Sequence, residues 1–290
     1  MIPLEQLAAL DLSLWLGTGK AAAQHLHTNQ STVSRQLRAV LHTLDLRLVR
    51  RNGQRRLVGD LELLAAERWV HQLARLKGKA PLRVEGTYAS GPWFLEQPLE
   101  GWMHGTFLLP GRDLPLELLR ERVIDAWLAS YQPDLPDPDD PQWWVLDLVR
   151  EPVRLLAAPD HPLAGVRRPS ADDLRRFPSL ALPPGWFPRT EAILRGQGLW
   201  QQEVPMSRYD PADWEGRCGD GVTLTYGQSL TEALQPGTVR LDWDLGLISG
   251  EALVVRRDLI DWPPIQKLAA ELRRRARAVA GRFADVEALN

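Results

Sequence analysis

The residues best suited to chemistry lie in a short polar segment, TNQSTVSRQLR, at positions 28–38. The segment combines amide, hydroxyl and guanidinium side chains, while Val33 and Leu37 recur one helical turn apart and form its apolar side. Gln can bond adenine and Arg can bond guanine through paired hydrogen bonds, and Ser can bond bases or phosphates. These residue types on one helix face are those that contact DNA in recognition helices.

The elements around this segment decide whether it can reach DNA. Apolar spacing predicts helices over 4–16, 20–26 and 30–44, with Asn29 as the N-cap of the third helix. The sequence LRLVRRNGQRRLV then predicts two short strands around an Asn-Gly turn. This order of elements is typical of a winged helix-turn-helix, in which the second helix of the motif enters the major groove. A plain helical bundle with a solvated polar face is the alternative.

Charge is distributed unevenly along the chain of 290 residues, whose net charge is −2. Residues 1–80 contain 12 Lys and Arg but only 6 Asp and Glu, so this segment carries +6 and the rest of the chain carries −8. A basic amino-terminal module on an acidic body suggests that only the first part meets a polyanion. A chance cluster of solvated charges is the alternative.

The remainder of the chain has an α/β pattern. Residues 60–77 again have helical spacing, and KGKAP ends that helix. After residue 81, short apolar runs that resemble strands alternate with helical stretches. The apolar runs are 82–86, 105–109, 124–128, 144–149, 153–158, 179–182, 222–226 and 251–255. The helical stretches are 94–101, 115–122, 170–176, 188–197, 228–234 and 264–283.

Several functional classes find no support in the sequence. The single cysteine, Cys218, excludes an internal disulfide framework. The six histidines are scattered, and no spacing typical of metal ligands or of a catalytic set is present, so we expect no enzyme, no metal and no cofactor. No apolar run approaches the roughly 20 residues needed to span a bilayer, and the amino terminus lacks the basic region of a signal peptide. The prediction is a cytoplasmic protein without a membrane partner.

The first 76 residues resemble the LysR-type transcriptional regulators, a bacterial family. The resemblance runs through AAAQHLHTNQSTVSRQLRAVLHTLDLRLVRRNGQRRLV. Downstream, REPVRLLAAPDHPLAG, SADDLRRFPSLAL, CGDGVTL and GEALVVRRD are similar to parts of the family's effector-binding domain. Residues 88–145 match that domain poorly.

The resemblance implies an α/β fold in three segments. An amino-terminal winged helix-turn-helix and a linker helix precede an effector domain that is similar to periplasmic binding proteins, with a ligand between two Rossmann-like subdomains. The expected boundaries are 1–59 for the DNA-binding domain, 60–79 for the linker that makes the dimer, and 80–290 for the effector domain, with subdomain I at about 80–151 and 255–290 and subdomain II at about 152–254.

The resemblance also implies roles for particular residues. The residues expected to contact DNA bases or phosphates are Gln30, Ser31, Ser34, Arg35, Arg38, Arg50, Arg51, Arg55 and Arg56. The residues expected in the dimer interface are Leu61, Leu64, Trp69, Leu73 and Leu76. The residues expected to contact the effector are Thr87, Tyr88, Ser90, Trp93, Trp186, Phe187, Arg189 and Thr225.

The function implied is a regulator that binds an interrupted palindromic promoter site as a homodimer, usually as a dimer of dimers. A small molecule in the effector cleft would modulate DNA binding or promoter activity. Hydroxyls and helix N–H groups at the cleft suit a small organic anion, with Arg189 as its cationic anchor. Two alternatives remain open: a regulator with a degenerate cleft that senses nothing, and a solute-binding α/β protein with an incidental helical bundle.

Overall fold

The structure, a computed structural model, describes residues 1–51, 53–130 and 132–289. The helices in this part of the chain are α1 (Leu4–Trp15), α2 (Gly19–His25), α3 (Gln30–Thr43), α4 (Glu62–Leu76), α5 (Gly91–Phe94), α6 (Asp113–Arg120), α7 (Ala171–Leu174), α8 (Pro188–Gly196), α9 (Pro211–Trp214), α10 (Ser229–Glu232) and α11 (Pro263–Ala280). The strands are β1 (Arg47–Arg51), β2 (Gln54–Val58), β3 (Leu82–Glu85), β4 (Trp102–His104), β5 (Ala126–Ala129), β6 (Trp143–Ala157), β7 (Leu180–Ala181), β8 (Gln202–Glu203), β9 (Thr225–Gly227), β10 (Val239–Arg256) and β11 (Glu287–Ala288).

The chain divides into two compact units. The first unit contains Met1–Glu85, Leu99–Thr106 and Pro115–Trp127, and the second contains Gly86–Pro98, Phe107–Leu114 and the chain from Leu128 onward. This division groups residues differently from the three expected segments, because α4 and residues 115–127 pack with the amino-terminal helices. None of the described helices is long and apolar enough to cross a membrane.

The three amino-terminal helices form where the apolar spacing predicts them. The Thr18 hydroxyl accepts the N–H of Ala21 at 3.1 Å, and the Asn29 side chain accepts the N–H of Thr32 at 2.8 Å. Such caps are each worth about 1 kcal/mol, and they position the starts of α2 and α3. The helices pack around a buried apolar cluster that consists of Ile2, Leu7, Leu10, Val40, Leu46 and Leu64.

A two-stranded wing follows α3, as the Asn-Gly sequence predicts. Strands β1 and β2 pair antiparallel, with Arg50 opposite Arg55 and Arg51 opposite Gln54. Gly53 adopts a φ of +76°, the left-handed conformation that a tight hairpin turn requires. Asn52, the other residue of the predicted turn, lies outside the described residues.

Buried charges hold α4 within the first unit. Arg68 Nε donates to Asp11 Oδ1 on α1 at 2.9 Å. Arg75 donates to both carboxylate oxygens of Asp125, at 2.8 and 2.9 Å, and the Gln72 amide donates to Asp125 Oδ1 at 2.8 Å. Both arginines are at most 4% exposed. The inner face of α4 is therefore largely ionic, and each buried charge on it has an opposite charge beside it.

Strand β3 is tied into the same set of charges. Arg83 on β3 donates from its backbone N–H to Asp125 Oδ2 at 2.9 Å, and its guanidinium donates to the Val123 carbonyl at 2.9 Å. Burial, together with the nearby charge of Arg75, lowers the pKa of Arg83 to about 10. On the same strand, Glu85 accepts the indole N–H of Trp15 at 2.6 Å. Helix α1 and the first strand after the linker are consequently parts of one body.

Two long strands form the frame of the second unit. Strands β6 and β10 pair antiparallel with several register shifts, and β9 and β11 also pair with β6. Gly250 lies next to the register shift between Glu251 and Ala252; its φ is +154°, and a Cβ there would lie 1.9 Å from the Val149 carbonyl oxygen. A buried cluster rich in leucine and tryptophan, which includes Leu155, Trp200 and Trp214, fills the space beside these strands.

Two of the predicted elements are wrong. Of the predicted helix over 94–101, only Phe94 is helical. The buried guanidinium of Arg275 donates hydrogen bonds to the carbonyls of Phe94 and Gln97 at 2.7 and 2.9 Å, so these carbonyls have partners outside a helix. The predicted strand over 105–109 is absent, and Phe107 there has a left-handed φ of +63° that a strand cannot contain. In both places a distant side chain or local backbone geometry overrides the sequence pattern.

Candidate DNA-binding surface and effector pocket

The amino-terminal half of α3 presents its polar side chains to solvent. Gln30, Ser31, Arg35 and Arg38 are exposed, and Ser34 is half-buried. Their spacing places all five on one side of the helix, opposite the buried Val33 and Val40. The structure therefore brings together the five residues of α3 that the sequence nominates for DNA contact.

Short-range hydrogen bonds orient these side chains before any partner arrives. Ser31 Oγ donates to the Asn29 side chain at 2.6 Å, and Arg38 Nε donates to the Ser34 carbonyl at 3.1 Å. Arg35 reaches the Thr32 hydroxyl only at 3.4 Å. All of these contacts are exposed, so exchanging them for bonds to a base or phosphate costs little.

The wing contributes four arginines in two different situations. Arg50 and Arg51 are exposed, and Arg50 donates to the Gly53 carbonyl at 3.1 Å. Arg55 is half-buried, whereas Arg56 forms an ion pair with the carboxylate of Glu117 on α6 of the same unit. Arg56 must leave Glu117 before it can bind a phosphate, so we treat it separately from the other three.

The five residues predicted for the dimer interface do not share one exposed face of α4. Leu64 and Leu76 are buried within the unit, with 1% and 7% exposure, so their side chains are not available to a partner. Leu61 and Trp69 are each 36% exposed, and Leu73 is half-buried. The physical reason is that the buried side of α4, which carries Arg68 and Arg75, also includes Leu64 and Leu76.

The outward face of α4 instead carries an apolar stripe formed by Leu63, Ala66, Val70 and Leu73. Leu63 is 67% exposed and Val70 is 42% exposed. The spacing of three, four and three residues is that of the apolar positions in a coiled coil. The sequence-based prediction omitted Leu63 and Val70, although this heptad spacing is readable in the sequence.

The second unit contains a pocket with a cavity volume of about 50 Å³. That volume has room for several water molecules or for part of a small organic molecule. The aromatic side chains in its lining are Tyr88, Phe107, Trp186, Phe187, Tyr209, Trp214 and Tyr226. The polar side chains in its lining are Thr87, Gln228 and Thr231. Among the described residues, no Lys, Arg, His, Asp or Glu lines it.

Half of the residues predicted for the effector site line this pocket. Thr87 and Tyr88 follow β3, and Trp186 and Phe187 precede α8, so the structure brings these two distant loops together. Gly111, another lining residue, lies close to the second of these loops: its φ is +57°, and a Cβ there would make a tight contact of 3.0 Å with the Trp186 Cα atom.

The other four predicted residues have different positions. Ser90 is buried behind Thr87, and Trp93 donates its indole N–H to the Leu230 carbonyl at 3.0 Å. Thr225 lines a separate, more polar cavity rather than this pocket.

Arg189 is not the expected anchor for an anion. Its guanidinium pairs with Asp137 at 2.7 Å, which raises the pKa of Arg189, and its backbone N–H donates to Asp134 at 2.8 Å. Asp134 also accepts the hydroxyl of Thr190 at 2.6 Å, so this carboxylate caps the start of α8. Arg189 thus contributes to the loop that carries Trp186, but its charge is directed away from the pocket lining.

The remaining pocket walls include Tyr209 and Trp214, which the sequence analysis did not nominate, and Tyr226, which directly follows the nominated Thr225. The rings of Tyr88 and Tyr209 lie 5.6 Å apart, and Tyr209 N–H donates to the Leu108 carbonyl at 3.1 Å. Trp214 stacks on Tyr226 with ring centres 6.4 Å apart. No local pattern indicates Tyr209 and Trp214, which lie in a loop and at the end of the short helix α9; their aromatic type is the signal that the sequence offers.

A chain of hydroxyls leads from the pocket wall to buried carboxyls. Thr87 Oγ1 lies 2.6 Å from Ser130 Oγ, which donates to both oxygens of Glu251 at 2.8 Å. Burial raises the pKa of Glu251 well above its usual range, and the charge of the nearby Glu151 raises it further. Burial also raises the pKa of Glu151 to about 7, while the N–H of Leu230 opposes that shift from 3.3 Å. The pocket thus has carboxyl groups behind its polar wall.

The described residues contain no group of three or more His, Cys, Asp or Glu side chains arranged to hold a metal ion.

Burial raises the pKa of the Tyr226 hydroxyl to about 12, so this pocket phenol is neutral at physiological pH. Its oxygen accepts the N–H of Trp200 at 2.9 Å. Of the three tyrosines in the described pocket lining, Tyr226 is thus an uncharged phenol that already accepts a hydrogen bond.

Comparisons with known proteins match both parts of the chain to regulator domains. Residues 4–63 match the family model of the bacterial regulatory helix-turn-helix protein, lysR family, and residues 110–277 match the LysR substrate binding domain. A probable nitrogen assimilation transcriptional activator of Synechococcus elongatus is 27% identical over 203 residues. That match covers 63% of this chain and 64% of the relative's length, which is less than two-thirds.

Solved structures show the same fold over nearly the full length. A full-length OxyR variant from Pseudomonas aeruginosa has a TM-score of 0.56 and 18% identity, and the match covers 94% of this chain and 95% of the other. Full-length CbnR in complex with its target DNA has a TM-score of 0.53 and 17% identity, with 94% and 99% covered. At these identities the likeness concerns the fold alone.

Proposed function

Because this chain belongs to the LysR family of DNA-binding transcriptional regulators, we propose that it acts in the cytoplasm on an interrupted palindromic promoter site. The observation that carries the proposal is the exposed polar face of α3, which stands next to a wing with arginines in solvent. A helix of this kind enters the major groove with its amino-terminal residues against base edges, while the wing contacts the backbone. We infer no enzymatic activity, since the family consists of regulators.

Within this interface, α3 and the wing have different tasks. Gln30 and Arg35 carry the side chains that pair with adenine and guanine, so they supply sequence discrimination. Arg51 in the wing reaches phosphates, which positions the protein but carries no sequence information. Their exposure in the structure supports this division, because neither set has to break a buried contact to reach DNA.

The assembly we propose is a homodimer built on the apolar stripe of α4. Leu63 and Val70 would be buried against a second copy of the helix, and palindromic DNA requires two recognition helices related by a two-fold axis. Exposed apolar side chains at heptad spacing support this proposal better than the residues first nominated from the sequence. Pairing of two dimers into a tetramer is the assembly usual for the family.

The pocket of the second unit is the proposed site of a small-molecule effector. Its aromatic lining favours an effector over the alternative of a cleft that senses nothing, since a collapsed cleft would have no such space. An effector changes DNA binding only if it binds two conformations with different affinity. We therefore propose that the ligand stabilises one arrangement of this pocket and that the change is read at the promoter.

The central test is a gel-shift titration of the purified protein on the DNA upstream of its own gene, against random DNA at moderate salt. We expect Arg35→Ala to weaken specific binding by about 1–3 kcal/mol and to relax preference at one base pair. Arg51→Ala should weaken all sequences equally and reduce the salt dependence by about one phosphate contact. Arg167→Ala, an exposed change in the second unit, is the control. Equal binding of promoter and random DNA would refute the proposal.

A further inference from the structure

The chemistry of the pocket points to a particular class of ligand. Aromatic residues are the largest group in its lining, and the described lining residues carry no charged side chain. Flat aromatic ligands gain both burial of apolar area and favourable ring contacts in such a site. An ion in the same place would lose its hydration without meeting an opposite charge.

One hydrogen-bond donor in the lining has no partner. Gln228 is 4% exposed, and its Nε2 atom has no hydrogen-bond acceptor in the structure. The other polar side chains of the lining are occupied: Thr231 Oγ1 bonds to the backbone of Gln228, and Thr87 Oγ1 bonds to Ser130. A buried donor without a partner is costly, so a ligand that offers an acceptor atom there gains affinity.

The surroundings of the pocket select further against anions. Glu251 connects to the pocket wall through Ser130 and Thr87, and Glu151 lies two residues before Val153, another lining residue. Arg189, the cation that the sequence suggested for this site, is occupied by Asp137. A carboxylate ligand would therefore meet no guanidinium or other cationic side chain in the described lining.

We propose that the pocket binds an uncharged aromatic compound that has one acceptor atom, such as a carbonyl oxygen, placed against Gln228 Nε2. The inference rests on the proposed function of this pocket as the effector site, and it specifies the chemistry of the effector. The neighbouring rings of Tyr88 and Tyr209 and those of Trp214 and Tyr226 line the space that the ligand's ring would occupy. Specificity then comes from shape and from a single directional hydrogen bond.

Three probes of nearly identical shape separate the possible charges of the ligand. Benzamide is neutral with a carbonyl acceptor, benzoate is an anion and benzamidine is a cation. Binding to the full-length protein is measured by calorimetry and by ligand-observed nuclear magnetic resonance at millimolar concentrations, with toluene as a ring that lacks any acceptor. We expect benzamide to bind at least about tenfold tighter than benzoate and tighter than toluene, as one extra buried hydrogen bond allows.

Variants locate the binding within the pocket. Gln228→Met keeps the length of the side chain and removes the donor, so benzamide should bind about three- to tenfold more weakly while toluene is unaffected. Gln202→Met, on the exposed strand β8, is the matched control and should change neither. Tyr88→Leu removes one aromatic wall and should weaken both ligands. Circular dichroism and promoter gel shifts of each variant establish that it is folded.

Each other outcome overturns the inference. Tighter binding of benzoate would make the pocket an anion site, and tighter binding of benzamidine would make the carboxyls its main determinant. Binding of no probe, or equal loss of benzamide binding in Gln228→Met and Gln202→Met, would also refute it. A failure of the proposed function would be detected in a different assay. In that case the protein, without any probe present, would show no preference for promoter DNA in the gel shift.

Discussion

Removing the carboxylate of Asp125 tests how the linker helix is held. Asp125 is fully buried and accepts hydrogen bonds from the guanidinium of Arg75, the amide of Gln72 and the backbone N–H of Arg83 at 2.8–2.9 Å. Asp125→Leu leaves Arg75, which is only 4% exposed, without its opposite charge. Breaking one side of a buried ion pair costs about 3–5 kcal/mol, a large part of the 5–15 kcal/mol that typically stabilises a protein. We expect the free energy of unfolding to fall by that amount.

A double substitution distinguishes the loss of charge compensation from a simple packing defect. Arg75→Met combined with Asp125→Leu removes both charges, so the uncompensated ion disappears while apolar volume is retained. The double variant should be more stable than Asp125→Leu alone by at least about 1 kcal/mol. Asp172→Leu is the control, because the side chain of Asp172 is 83% exposed and its change should cost no more than about 0.5 kcal/mol.

The assay is urea unfolding followed by far-ultraviolet circular dichroism and by tryptophan fluorescence, with coincident transitions required before a free energy is extracted. A loss below about 1 kcal/mol in Asp125→Leu would refute the view that this carboxylate compensates a buried charge. A double variant less stable than either single variant would refute it equally, since the two substitutions would then act through packing.

Three further predictions concern the DNA interface, the buried carboxyls and the dimer. Glu117→Gln should free Arg56, tighten binding to promoter DNA and add about one phosphate contact to the salt dependence; an unchanged salt slope in gel shifts would contradict this. Folding raises the pKa of Glu151 from 4.5 to about 7, so the folded state favours the protonated carboxyl. The contribution of this group to stability is therefore complete below about pH 4.5 and is lost as the pH rises through 7. Glu151→Gln should flatten that part of the stability profile and gain at most about 3 kcal/mol above it; parallel unfolding profiles for the two proteins would contradict the assignment. Val70→Glu should convert dimers to monomers in analytical ultracentrifugation, whereas Ala65→Glu, exposed on α4 outside the apolar stripe, should not.

The winged helix-turn-helix was predictable because its signals are local. The cap at Asn29, the pairing of the two wing strands and the apolar spacing of α1 and α3 each act within a few residues, and each is confirmed in the structure. The polar face of α3 follows from the same spacing, because a helix that buries Val33 must expose the residues opposite to it.

The linker helix shows where local reasoning stops. Its apolar spacing predicted a helix over about the right range, but not which side faces inward. That choice depends on Asp11 and Asp125, which come from α1 and from the segment before β5 and draw the arginines of α4 inward. Pairings between residues some fifty positions apart leave no trace in a local hydrophobic pattern.

The pocket, too, was only partly predictable from the sequence. Thr87, Tyr88, Trp186 and Phe187 were nominated from the resemblance, and the structure places all four in one lining. Whether that lining carries a positive charge could not be read from the sequence, because Arg189 is the second residue of α8, just after the loop that carries Trp186, and its guanidinium pairs with Asp137.

By itself, the sequence determined the winged helix-turn-helix and the α/β pattern that follows it, since periodicity, caps and motif order act over short distances, and its resemblance to the LysR-type regulators implied the linker and the effector domain. Only the tertiary structure decided which face of α4 is free and that a donor on Gln228 is left without an acceptor. The physical reason is that burial and charge compensation belong to groups brought together from distant parts of the chain, and a ligand responds to that environment rather than to the order of residues.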